Sequence, residues 1–152
     1  MTARRLALQA LLTTVVFATL DFVWLGVLMN GFYKAELAGL ARLSGANFAP
    51  VWWAALGVYG VLVMGIVVFV LPRAERQPWR ALGFGALLGV VTYGTYDLTA
   101  YAVLAGWSLR MTVVDIVWGA TICGVSAAVV THLEPKFSPA SAPQPAPRQH
   151  LV

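Results

Sequence analysis

The chain has 152 residues, 60% of them hydrophobic and 11% charged, and its mean hydropathy is +0.78. Soluble domains carry about 25% charged residues, so this composition excludes an ordinary water-soluble domain and predicts one small membrane-embedded unit. The net charge is +4, but the ten basic residues are scattered through connectors and ends, which excludes a groove-sized nucleic-acid surface.

A membrane-spanning helix needs about 20 mostly apolar residues. The first such run covers residues 6–29. "MTARR" before it is basic, like the start of a signal peptide. The apolar run is too long for one, however, and no A-x-A site precedes Asp21, so the run is read as a retained span. Residues 30–50 hold Lys34, Glu36 and Arg42 and predict a short interfacial helix. The second span, 51–71, is framed by Pro50, which suits a first helical turn, and Pro72, which stops the helix. The third, 81–104, begins with "GFGALLG". Gly85 and Gly89 in it form a G-x-x-x-G spacing that permits close helix contact, inside the bundle or along a dimer seam. The fourth covers 111–131. From Pro135 the composition turns to "PKFSPASAPQPAPRQHLV", which cannot pack a core and predicts a disordered tail.

The expected architecture is all-α: an antiparallel, up-down four-transmembrane-helix bundle over residues 1–134, with a Pro-rich tail over 135–152. Arg4, Arg5, Arg73, Arg76, Arg80, Lys136 and Arg148 fall on one side of it, and Lys34, Arg42 and Arg110 on the other. The positive-inside rule then places both termini in the cytoplasm. Trp52, Trp53, Trp79 and Trp107 lie at span ends and read as an interfacial aromatic belt. The single cysteine, Cys123, excludes an internal disulfide and reads as a small buried hydrophobe.

The acids carry the functional signal. Only six exist, and Asp21, Asp97 and Asp115 fall within spans. An ionised aspartate at a helix centre costs about 2.5–3.5 kcal/mol to insert, so such residues face the bundle interior and mark function. At 1.5 Å per residue, Asp21 lies ~12 Å below Met29, Asp97 ~15 Å below Trp107 and Asp115 ~7 Å below Arg110. All three occupy the membrane half next to the 30–50 and 105–110 connectors. "DFVW" in the first span and "DIVW" in the fourth repeat a D-x-x-W pattern, with acid and indole on one helix face. Between antiparallel helices Asp21 is level with Trp118, and Trp24 with Asp115. The expectation is a reciprocal clamp in which each carboxyl meets the other helix's indole N–H. In "TYGTYDLTAY", Tyr93, Asp97 and Tyr101 share a face at four-residue steps, with Thr92, Tyr96 and Thr99 beside it.

The candidate polar site is therefore Asp21, Asp97 and Asp115, with Arg110 as counter-charge and Trp24, Trp118, Tyr93 and Tyr96 orienting or covering them. Four readings fit it, the fourth a hard-cation site. One is a pocket for a lipid or small amphiphile, with acids able to act as acid/base groups. The second is proton- or cation-coupled transport by a homo-oligomer. The third is a structural bundle whose aspartates only hold helices together. The carboxylates and hydroxyls make an incomplete hard-cation site, and no metal or cofactor is predicted. The expected partners are membrane lipids and a small-molecule or lipid ligand. With only His132 and His150 the histidine-rich di-metal chemistries are excluded, and no G-x-x-x-x-G-K-[ST] loop or G-x-S-x-G elbow is present. These residues name no reaction.

The blocks "LDFVWLG", "FYKAELAGL", "TYGTYDLT" and "GWSLRMTVVDIVWG" resemble a bacterial family of predicted four-span membrane proteins of unknown function, domain-of-unknown-function family 2177. The resemblance covers about Leu12 to Gly124. It implies a multi-pass protein of the bacterial inner membrane, which makes the acid-bearing half periplasmic. It places Asp21, Trp24, Tyr93, Asp97, Arg110, Asp115 and Trp118 in shared blocks and assigns none of them a catalytic role.

Overall fold

Thr2 opens the first helix by accepting the Arg5 backbone N–H on its hydroxyl, which satisfies a donor that the helix start leaves free. The computed structural model describes residues 2–45 and 47–137, with side chains through Glu134. Helix α1 runs Ala3–Leu28. Its last seven residues, Phe22–Leu28, are wound more widely, with i→i+5 bonding such as Met29 N–H to the Trp24 carbonyl. A short helix α2 follows at Asn30–Glu36. Strands β1 (Leu43–Ser44) and β2 (Asn47–Phe48) then pair antiparallel, and Gly45 supplies the positive φ of +60° that the intervening turn requires. Helix α3 spans Trp52–Val70, α4 Pro78–Val103 and α5 Leu109–Phe137.

Three of these helices, α1, α3 and α5, are long and apolar enough to cross a membrane. Helix α4 has 26 residues, but glycines, threonines, tyrosines and Asp97 make it less apolar. The small hairpin departs from the all-helical expectation. Its two-residue strands lie in the 30–50 connector, where Gly39 and Gly45, both at positive φ, break helical winding. Proline 50 lies ahead of the second long helix, which begins at Trp52, and the chain leaves that helix after Val70, just before Pro72. Helix α5 continues past Thr131 to Phe137. The rest of the expected tail, 138–152, lies outside the described residues.

The closest helix pair is α4 with α5, and glycine explains it. A Cβ on Gly85 would sit 2.5 Å from the Cys123 carbonyl oxygen, and one on Gly89 only 2.0 Å from that of Gly119. The G-x-x-x-G seam thus faces inward within this chain. As α4 advances from Gly85 to Gly89, α5 recedes from Cys123 to Gly119, so the two run antiparallel. Helices α1 and α5 are also antiparallel, tied by Arg5 and Gln9 to Glu134 at one end and by Asp21 to Trp118 at the other. Phe17, Ile66, Val70, Ile122, Ala127 and Val130 form the apolar centre. Leu11, Val15, Phe22, Leu56 and Phe69 are exposed, and contiguous apolar surface of this kind belongs against lipid. Trp52, Trp53 and Trp79 are exposed as a belt requires, but Trp107 is not. It lies in the α4–α5 connector and is buried with Tyr33, Ala100 and Met111.

Candidate functional site

On α1, Gln9, Thr13, Phe17 and Asp21 recur every four residues and form the buried stripe of the helix. That stripe delivers Asp21 to the junction of three helices. Its carboxylate accepts the Trp118 indole N–H of α5 at 3.1 Å and the Tyr59 hydroxyl of α3. The wider turns of α1 begin at the next residue. Trp24 then lies flat against Trp118, with ring centroids 4.3 Å apart and planes 5° from parallel.

The expected clamp is therefore direct on one arm only. The Trp24 N–H meets not Asp115 itself but the Tyr33 hydroxyl of α2, at 3.1 Å. Tyr33 in turn donates to Asp115. The second arm is a relay through a residue of the connector. Burial, and then the Asp115 carboxyl, push the Tyr33 hydroxyl above the usual phenol range, so it stays protonated and donating.

Asp97 is fully buried on α4, and its carboxyl lies beside that of Asp115. Neither Asp97 oxygen has a hydrogen-bond donor. Two adjacent carboxyls away from water do not both ionise cheaply. Tyr93 packs over Gly119, about one helical turn further along α5.

Two of the sequence candidates fall elsewhere. Tyr96 is exposed, stands edge-on to Trp107 and makes no hydrogen bond to the acids. Arg110 is not a counter-charge to the aspartates. Its side chain is 74% exposed, lies 3.6 Å from Glu36 and sits over the Phe32 ring at 5.1 Å. Glu36 captures it because α2 folds back over the start of α5, where Ser108 also donates to Glu36. Among the described residues, no lysine or arginine pairs with Asp21, Asp97 or Asp115.

A cavity of about 660 Å³ opens against this network. Asp21, Tyr33, Tyr59, Tyr93, Asp115 and Trp118 give its polar and aromatic lining. Leu25, Leu37, Phe48, Pro50, Ala55 and Val58 supply apolar walls, and Arg42 reaches the lining from the connector. Its volume is within the ~300–1,000 Å³ typical of small-molecule sites. Asp97, Trp24, Tyr96 and Arg110 do not line it. Among the described residues, no three His, Cys, Asp or Glu side chains converge as a metal-ligand set.

Sequence reasoning missed Tyr33 and Tyr59. Tyr59 is the only hydroxyl between Val51 and Leu71, and a lone polar group in an apolar span is itself a signal. Tyr33 was hidden because its segment reads as an interfacial connector rather than as part of the site.

Apolar helices of membrane-crossing length around an inward-facing acidic network define the class: an integral membrane protein. The chain belongs to a family described as predicted membrane protein, DUF2177, whose model matches residues 6–132. No curated protein and no solved structure matches it.

Proposed function

We propose that the chain is a four-span protein of the bacterial inner membrane that holds a lipid or small amphiphile in the cavity beside Asp21 and Asp115. In this reading α4 is the fourth crossing. Its 26 residues reach ~39 Å as a helix, more than the ~30 Å hydrocarbon core. The positive-inside count favours cytoplasmic termini and puts the acids in the periplasmic half.

The observation that carries the proposal is the make-up of the cavity: a few carboxyls and hydroxyls set in a lining that is otherwise apolar. An amphiphile matches both, with its head on the acids and its tail along Leu25, Ala55 and Val58. Mass spectrometry of the purified protein tests this. A co-purifying amphiphile should be depleted by Ala55→Phe, which narrows the cavity from an apolar wall. Equal loading of both proteins rejects the pocket.

A second reading, proton-coupled transport by a homo-oligomer, is favoured by the Asp97–Asp115 pair. A buried carboxyl without a donor, next to one that borders the cavity, is suited to exchanging a proton as cargo binds. It requires flux in liposomes that follows an imposed pH gradient and stops in Asp97→Asn.

A further inference from the structure

We infer that the head group taken by the cavity is a monovalent organic cation, an amine or quaternary ammonium carried on an apolar tail. This rests on the cavity being a binding site, and it names the chemistry the site would accept.

The charge pattern comes first. Asp21 and Asp115 both border the cavity, and their partners are neutral donors: Trp118 and Tyr59 for Asp21, Tyr33 for Asp115. Arg42, the basic side chain on the lining, is exposed and forms no ion pair with either aspartate. Behind the wall, Asp97 is fully buried, directed at Asp115 and without a donor on either oxygen. A cation entering the cavity therefore meets carboxyl groups that no basic side chain of the described residues pairs with, which an anion would not favour.

The aromatic lining points the same way. Tyr33, Tyr59, Tyr93 and Trp118 line the cavity together with the acids, and ring faces attract cations, most strongly where water is excluded. A bare divalent metal fits worse. Most of the lining is aliphatic or aromatic carbon, and no three metal-ligating groups converge among the described residues. An alkylated ammonium uses both kinds of lining at once, with charge against carboxylate and ring, and carbon against Leu25, Ala55 and Val58.

The experiment uses the full chain in lipid nanodiscs, with intrinsic tryptophan fluorescence following three probes of equal tail length: octyltrimethylammonium, octanol and octanesulfonate. The ammonium probe should bind saturably and at least about tenfold more tightly than octanol, with no saturable octanesulfonate signal. Asp21→Asn and Asp115→Asn should each weaken the ammonium probe by about tenfold or more. Ala55→Phe should remove its binding while leaving every acid in place, so the test does not depend on the acid variants folding. If octanol or octanesulfonate binds as tightly as the ammonium, or both folded Asn variants retain full affinity, the cationic assignment is overturned. Equal binding of all three probes that Ala55→Phe removes would overturn the cation and keep the pocket. No saturable binding by any probe would overturn both.

Discussion

Trp118 donates its indole N–H to Asp21 at 3.1 Å across the α1–α5 interface, while its ring lies parallel to Trp24 at 4.3 Å. One side chain thus fixes both the acid of the first D-x-x-W and its indole. Tyr59 supplies the second donor to Asp21 and brings α3 into the same junction. The lining of the cavity is consequently held by the contacts that assemble the helices.

Trp118→Phe keeps an aromatic ring and removes one donor. Interhelical hydrogen bonds in membranes average about 0.6 kcal/mol and reach about 1.7, so a loss within that range is expected. Asp21→Leu should cost more, because it leaves the Trp118 N–H and the Tyr59 O–H both without an acceptor, at about 1–3 kcal/mol for each buried orphan. Thermal unfolding in detergent should rank wild type above Trp118→Phe, and Trp118→Phe above Asp21→Leu. The reverse order of the two variants would show that ring packing, not the acid, holds the junction.

Tyr33→Phe should break the second arm at both ends. The Trp24 N–H loses its acceptor and Asp115 loses its hydroxyl donor, for a destabilisation of about 1–3 kcal/mol. Tyr96→Phe is the matched control, since that side chain is exposed, and it should change the unfolding temperature little. The two variants, melted side by side, separate a relay from a general effect of tyrosine hydroxyls.

Much of this was legible before any coordinates. The long apolar runs gave the helices, because about 20 carbon-rich residues have few other stable forms in lipid. The D-x-x-W repeats and the 1.5 Å rise placed Asp21 level with Trp118. What was hidden depended on the connector. Periodicity says nothing about how residues 30–50 fold back, yet α2 supplies Tyr33 to Asp115 and Glu36 to Arg110. Arg110 looked like a counter-charge because it is near the acids in sequence depth, but it is taken by a closer carboxylate. The same fold-back buries Trp107, which span position alone would send to the interface.

Gly89→Ala should be among the most damaging small substitutions in the chain. The added methyl would lie 2.0 Å from a backbone oxygen of α5, and backbone does not yield as a flexible side chain does. Overpacking costs about 1–3 kcal/mol and occasionally more, and this site belongs at or above the upper end. Gly83→Ala meets nothing within 4 Å and should be neutral or slightly stabilising, since alanine favours helix. Expression level and monodispersity of the two variants distinguish a seam inside the chain from a dimer seam. A dimer seam would leave a folded Gly89→Ala monomer.

Arg110→Ala should cost at most about 1 kcal/mol, because its partner interaction with Glu36 is long and largely exposed. The measured loss should shrink further in high salt, which screens such pairs. A loss well above that, insensitive to salt, would restore Arg110 as a partner of the buried acids.

Asp97→Asn gives the sharpest separation between a structural acid and a functional one. In the native chain Asp97 sits beside Asp115 with no donor on either oxygen, so the pair depends on a proton to be satisfied. Asparagine has nearly the same shape and carries a permanent N–H donor. It should therefore hold Asp115 without a shared proton, keeping stability at neutral pH or raising it by about 1 kcal/mol. If the acid serves only to bind helices together, this variant is fully competent in every assay. If it moves a proton, the variant is stable, folded and inactive in gradient-driven flux, because the group that must gain and lose a proton no longer can. A variant that unfolds instead would mean that the added N–H finds no acceptor at Asp115, contrary to the side-by-side placement of the pair.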